Sequence, residues 1–300
     1  MMRPAPEKRS VDDLAEFGVV NLDKPAGPSA HQVAGWVRDA LGVDRAAHSG
    51  TLDPKVTGCL PTLTGDATRM AQVFLEGAKE YVAVLELHGT APTDLDRVVG
   101  EFESEVYQKP PRKSAVKRKL RTREVYDLDV LDRTDRQVLL RVRCESGTYI
   151  RKLCHDIGLA LGTGGHMGHL RRTATDPFDD RDLHTLHDLV DGVALAGGED
   201  TTDGDPDESL LREVLRPAEE ALTGLPSLTV AESAAREIAN GAPVYAPGVI
   251  ASGENGAGEP AEGDLLACYV PNGSAICLGT LVGDPDGESG EVVELERVLV

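Results

Sequence analysis

His48–Gly58 reads HSGTLDPKVTG, and the interpretation of the whole chain turns on this stretch. A small-residue turn, Ser49-Gly50-Thr51, leads to Leu52 and Asp53, and Pro54 stiffens the exit by fixing its own φ. The aspartate stands alone, because Asp44 is the one other acid within ten residues of it. Ordinary glycoside hydrolysis uses an acid together with a nucleophile or base, so a lone carboxylate argues against it. One carboxylate suffices to attack or stabilise an electron-poor sugar carbon when no water must be activated. It also suffices to remove a proton beside that carbon. A rearrangement that breaks and remakes a glycosidic bond inside one pocket fits this limit. Asp-Pro is equally an ordinary turn dipeptide, so the local pattern leaves a structural reading open.

The chain has 300 residues, 40% of them hydrophobic and 4% aromatic. That length suits one large domain or two ordinary ones, and Val, Leu and Ala must fill much of the core. The formal charge is −20, with 51 acids against 31 bases, only nine of them lysine. An acidic, lysine-poor surface points to work in concentrated salt, hence to a halophilic source. The five cysteines, Cys59, Cys144, Cys154, Cys268 and Cys277, form no CxxC. They read as reduced, buried small hydrophobes, with no disulfide frame and no metal site. The start, MMRPAPEKRSVDDLAEF, has no apolar run of the signal-peptide kind, and no stretch approaches a membrane span. A cytoplasmic protein without a membrane partner is expected.

Around the Asp53 loop the pattern is mixed. FGVVNL (17–22), KEYVAVLEL (79–87) and QVLLRVRC (137–144) read as strands. Ser29 is placed to cap a helix over HQVAGWVRDAL (31–41). Helices are also expected over 68–75, over 149–161 and over LLREVLRPAEEAL (210–222). Strands interspersed with helices, without regular βαβ spacing, predict an α+β fold around a mixed or antiparallel sheet. GGEDTTDGDPDES (197–209) is an acidic insertion with no apolar residue. From about Leu228 the texture changes to short strands separated by acidic, Gly-rich loops, which predicts a small β-barrel-like second domain.

One segment inverts the charge. KPPRKSAVKRKLRTR (109–123) holds eight Lys or Arg and no acid. Lys109, Arg112, Lys113, Lys117, Arg118, Lys119, Arg121 and Arg123 are therefore candidates to hold an RNA backbone. At molar salt the Debye length is about 3 Å, so only close, hydrogen-bonded contacts would survive. Arg171 and Arg172 add a smaller patch.

HSGTLDPKVTG, preceded by GVVNLDKPAGPSAHQV and followed in order by KEYVAVLELHG, PPRKSAVKRKLRTREVYDL, ESGTYIRKLCHDIG and GHMGHLRRTATDPF, resembles the catalytic core of the pseudouridine synthase B family, of tRNA pseudouridine-55 synthase type. The SAVKR form and the GHM-LRR block resemble its archaeal dyskerin-like branch. The tail with NGAPVYAPG is similar to an RNA-binding PUA domain. The resemblance covers about residues 17–300. It implies an N-terminal extension over 1–16, a pseudouridine synthase catalytic domain over 17–225 and a PUA domain over 226–300. It implies an RNA uridine isomerase without metal or other cofactor, acting at uridine 55 in the T-loop of tRNA, at ribosomal RNA sites chosen by H/ACA guide RNAs, or both. Small H/ACA proteins would be its partners.

Residue by residue, Asp53 matches the family's essential aspartate, acting on C1′ or on the adjacent ribose proton. Tyr81 matches the pocket tyrosine that stacks on an everted uracil. Arg151 matches the arginine that pairs with the aspartate, and Leu170 the leucine that closes over the base. Lys24 sits in the KP motif near the site, as either a functional or a structural lysine. His48 either helps displace the base or packs beside the site. The expectation is a buried carboxylate oxygen enclosed by a tyrosine ring and a guanidinium. Gly165 and Asp176 depart from the family's usual alanine and glycine. A non-catalytic RNA-binding scaffold of an H/ACA ribonucleoprotein is the alternative, and a hydrolase using a carboxylate pair the third reading.

Overall fold

The structure is a computed structural model that describes residues 2–110, 119–198, 205–253 and 258–300. Among them ten strands form one large sheet: β1 (Gly18–Lys24), β2 (Ala46–His48), β3 (Thr57–Thr64), β4 (Lys79–Leu87), β5 (Glu105–Gln108), β6 (Arg121–Arg133), β7 (Gln137–Cys144), β8 (Gly165–Thr175), β9 (Phe178–Asp179) and β10 (Arg216–Pro217). The order is β10-β1-β3-β8-β4-β7-β6-β5, with β2 alongside β3 and β9 alongside β8. The β3–β8 pairing is parallel and its neighbours β1–β3 and β8–β4 are antiparallel, so the expected mixed sheet is present. The runs read as strands from β-branched residues lie inside it, and β1 is buried along nearly its whole length.

The helices are α1 (Val11–Glu16), α2 (Ala30–Leu41), α3 (Val73–Glu76), α4 (Leu95–Gly100), α5 (Ile150–Ala160), α6 (Leu186–Ala196), α7 (Ser209–Val214) and α8 (Glu232–Ala239). Ser29 caps α2 in a capping box with Gln32, and Gly42 at φ 66° ends it. Two hydrophobic cores lie under the large sheet. One joins β4 and β7 to α5 through Ala83, Leu85, Leu140, Val142, Leu153 and Ile157. The other joins β1 and β3 to α2, α6 and α7 through Leu22, Val33, Val37, Leu60, Leu189 and Leu211.

Two predicted helices differ in form. Over 68–75 the chain makes a 3₁₀ turn, Gly65–Met70, and then the short α3. In LLREVLRPAEEAL the α-helix stops at Val214. Pro217 lacks a backbone donor, and it pairs as β10 on the outer edge of the sheet against Gly18. A 3₁₀ turn, Ala218–Leu222, follows. The departure at Asp176 has a local account, because its carboxylate accepts from Arg143 at 2.8 Å.

The remaining strands, β11 (Ser227–Val230), β12 (Val244–Tyr245), β13 (Val249–Ser252), β14 (Leu265–Tyr269), β15 (Ala275–Leu281) and β16 (Glu291–Val298), form a second sheet in the order β12-β16-β15-β14-β11-β13. A shared cluster welds it to the first: Phe17, Leu63, Met70 and Phe74 pack with Ala267, Tyr269, Leu278 and Leu299. The N-terminal segment runs across this junction. Arg9 is buried and forks onto Glu219 at 2.7 and 2.8 Å, while Ser274 donates to Pro4 O at 2.9 Å.

All five cysteines are free and buried. Among the described residues no helix is long and apolar enough to cross a membrane. None of their His, Cys, Asp and Glu side chains cluster in a way that could hold a metal ion.

Candidate active site

The His48–Gly58 loop connects β2 to β3 and is pinned at several points. Ser49 is buried and its N–H donates to Pro61 O at 2.9 Å. Leu52 and Val56 are buried in the second core, on either side of Asp53. Two inward anchors four residues apart push the intervening carboxylate outward. Lys24 fastens the exit: its ammonium is fully buried and donates to Pro25 O, Pro54 O and Val56 O at 3.0, 3.1 and 2.8 Å. Burial pushes the Lys24 pKa down, yet each of these carbonyls is an acceptor for its charge. Lys24 is therefore a structural brace of the loop.

Arg151 comes from the other core. It follows Ile150 and precedes Leu153, both buried against β4 and β7, at the start of α5. Its guanidinium forms an ion pair with the Asp53 carboxylate. Both side chains are 50% exposed, which corrects the expectation of a buried carboxylate: the loop's anchors face the core and the acid between them faces outward.

Tyr81 on β4 and Leu170 on β8 complete the set. Among the described residues they alone are packed as half-buried side chains against both cores. The site thus lies on a seam: Asp53 is anchored in one core, Arg151 in the other, and Tyr81 and Leu170 bridge the two. The β4–β8 register shifts between Glu80 and Tyr81, a bulge of the kind that re-aims a side chain. Burial raises the Tyr81 pKa, and the neighbouring Arg172 charge acts in the opposite direction.

His48 is half-buried beside the loop, and its Nδ1 accepts from Gly50 N–H at 3.3 Å. That bond leaves Nε2 as the protonated nitrogen of the neutral ring. Burial first, then the Arg172 and His31 charges, push its pKa below 6.5. Gly58 has φ +99°, and a Cβ there would meet Arg172 O at 2.2 Å, so the parallel approach of β3 and β8 requires glycine.

The basic segment falls mostly outside this account. Arg112, Lys113, Lys117 and Arg118 lie outside the described residues. Lys109 and Lys119 are exposed and Arg121 half-buried, at the turn end of the β5–β6 hairpin. Gln108 ties that turn end to the start of α5, its side chain accepting from Tyr149 N–H at 2.8 Å, two residues from Arg151. Arg123 is engaged elsewhere, donating to Glu145 at 2.9 Å. The smaller patch is also corrected. Arg171 forks onto Asp23 at 2.9 and 3.1 Å, and Arg172 is 1% exposed, held by Cys59 O at 2.7 Å and Ser49 Oγ at 3.3 Å. Arg172 reaches the interior because β8 inserts between β3 and β4, which no local pattern announces.

Comparisons with known proteins bear on the same residues. The TruB family pseudouridylate synthase N-terminal domain matches residues 38–97 and 89–150. The tRNA pseudouridylate synthase B C-terminal domain matches 151–223, and the DKCLD (NUC011) domain matches 4–34. The chain is similar to the probable tRNA pseudouridine synthase B of Halobacterium salinarum, 65% identical over 100% of this chain and 99% of that one. It is 63% identical to the protein of that name from Haloarcula marismortui, over 100% and 94% of the two chains. Among solved structures it is similar to a chain of a Cbf5-Nop10-Gar1 complex, with 42% identity, a TM-score of 0.90 and coverage of 100% and 90%. A chain of an H/ACA RNP bound to a substrate RNA containing 2′-deoxyuridine gives 40%, 0.88, 100% and 90%.

Fold and family matches together define a pseudouridine synthase, an isomerase. The chain belongs to the TruB family of pseudouridylate synthases. Its Halobacterium and Haloarcula relatives support the high-salt reading of the acidic, lysine-poor composition.

Proposed function

We propose that the protein converts uridine to pseudouridine in RNA, at position 55 in the T-loop of tRNA, at sites chosen by H/ACA guide RNAs, or both, with Asp53 as the catalytic residue. The observation that carries this reading is the Asp53–Arg151 ion pair across the seam bridged by Tyr81 and Leu170. The isomerisation balances without a co-reactant. The C1′–N1 bond breaks, the base turns, C5 bonds to C1′, the C5 proton departs and N1 takes one up. The task left to the protein is to assist at C1′ or at the adjacent ribose proton and to keep the detached base in place. Asp53 meets the first need, with Arg151 orienting its carboxylate. The Tyr81 ring and Leu170 meet the second, as a face and a cover for the everted uracil. Eversion costs a few kcal/mol of unstacking, which such contacts offset.

Lys109, Lys119 and Arg121 stand at the turn end of a hairpin tied to the start of α5, so phosphate contacts there would flank the site. In this reading residues 17–225 are the catalytic domain and 226–300 a PUA domain gripping RNA, in the cytoplasm. The names Nop10, Gar1 and H/ACA RNP attached to the similar structures make small H/ACA proteins and a guide RNA the expected assembly. Purified protein in molar salt should be incubated with unmodified tRNA transcript, and separately with guide RNA, its paired target and the small proteins. Pseudouridine mapped at position 55 supports the first substrate, and pseudouridine only at the guide-paired uridine the second. No pseudouridine in either mixture contradicts the proposal.

A further inference from the structure

Arg9 and Arg172 are the fully buried arginines among the described residues, 2% and 1% exposed. Burying a guanidinium is costly unless an acid compensates it. Arg9 has Glu219. Even Arg171, next in sequence to Arg172 and half-exposed, has Asp23. Arg172 has no acid within ion-pair distance among the described residues; it donates to the neutral Cys59 O and Ser49 Oγ.

What surrounds this uncompensated charge is the site. Cys59 opens into β3 beside Gly58, and Ser49 begins the loop that carries Asp53. The guanidinium lies 3.6 Å from where a side chain on Gly50 would start. Across the β4–β8 pairing Arg172 is the register partner of Tyr81, which puts both side chains on one face of the sheet. From that neighbouring position the Arg172 charge opposes the rise in Tyr81 pKa that burial causes.

We propose that Arg172 is a positioning residue of the isomerisation: it locks the Tyr81 ring to the Ser49–Gly50 end of the Asp53 loop, and its unpaired charge favours the anionic base released when C1′–N1 breaks. The chemistry supplies the need. When that bond breaks, its electron pair leaves on N1 and spreads to the uracil oxygens. A fixed cation behind the tyrosine that faces the base stabilises this anion without reorganising at the moment of reaction. A carboxylate partner would cancel the effect, so the lack of one is consistent with the task. This inference rests on the site reading given above.

The test is the single-turnover rate, with whichever RNA the wild-type protein converts, for Arg172→Met and Arg172→Lys. Asp53→Asn runs in parallel, and RNA affinity is measured for each. Arg172→Met should slow conversion by roughly 10²–10³-fold with RNA affinity little changed. Arg172→Lys keeps the charge but not the fork, and should recover at least a tenfold part of that loss. With Tyr ¹³Cζ labelling, assigned by Tyr81→Phe, the Tyr81 resonance should titrate at higher pH in Arg172→Met than in Arg172→Lys. If Arg172→Met does not fold, Arg172→Gln, neutral and polar, takes its place with the same expectations. Equal rates in the lysine and neutral variants, or an unmoved Tyr81 titration, would overturn the proposal and leave Arg172 a packing residue. An active Asp53→Asn would instead sink the site reading itself.

Discussion

Two arginine–carboxylate pairs in this chain use the same chemistry for opposite ends. Arg9–Glu219 is sealed, with side chains 0% and 10% exposed. Glu219 also accepts from Ala275 N–H, and Arg9 from the N-terminal segment thereby grips β15 of the second sheet. Arg151–Asp53 is half open, and each partner is held by its own backbone, anchored in a different core. In the sealed pair both charges are shut away from solvent and bound only to neighbouring protein groups, so the pair is part of the fold. In the open pair the elements stand without the contact, and the charges are available to a substrate. Burial and anchoring, more than the identity of the residues, separate the two roles.

That contrast predicts effects that differ in kind. Glu219→Ala strands a buried guanidinium and should lower unfolding free energy by roughly 3–5 kcal/mol, read by denaturant titration, while a folded sample still isomerises RNA. Arg151→Met should do the reverse. Its rate should fall by roughly 10²–10³-fold, yet its stability should move by no more than about 1 kcal/mol, as for other exposed pairs. A strongly destabilised Arg151→Met would erase the distinction.

Lys24 sharpens the comparison as an intermediate case, buried like Arg9 but bound to three loop carbonyls near the site. Lys24→Met should loosen the Asp53 loop, costing about 1–2 kcal/mol of stability and roughly ten- to a hundredfold in rate. His48 is the smallest effect. Its folded pKa lies below 6.5, so the unfolded chain binds the proton first, and stability falls as pH drops below 6.5 toward the folded pKa. His48→Gln should flatten that acid slope by under about 1 kcal/mol in thermal melts from pH 7 to 5. An unchanged slope would mean that His48 titrates alike in both states.

Much of this arrangement could be read before any coordinates. The β-branched runs at 79–87 and 137–144 alternate with the pleat, and Ser29 is followed by Gln32 at capping-box spacing, so β4, β7 and α2 follow from local physics. The loop of Asp53 announced itself by its isolation and its proline. What stayed hidden depended on tertiary register. Arg172 reads as one of two surface arginines until β8 is seen between β3 and β4. Arg9 sits in a polar, proline-rich start, and its role appears only when Glu219, 210 residues away, folds against it. The helix expected over 210–222 failed at Pro217, which an edge strand accommodates and a helix interior does not. The half-exposure of Asp53 is not legible in the sequence, because the burial in this loop belongs to Leu52 and Val56 on either side of it.

The central claim is that Asp53, held at the seam by Arg151, is the group the isomerisation requires. The most direct measurement is single-turnover pseudouridine formation by Asp53→Asn, with RNA affinity and thermal stability determined on the same preparation. The account predicts no detectable product, RNA affinity close to that of the wild type and an unchanged melting transition. Pseudouridine formed by the folded variant at a rate near the wild-type value would contradict it.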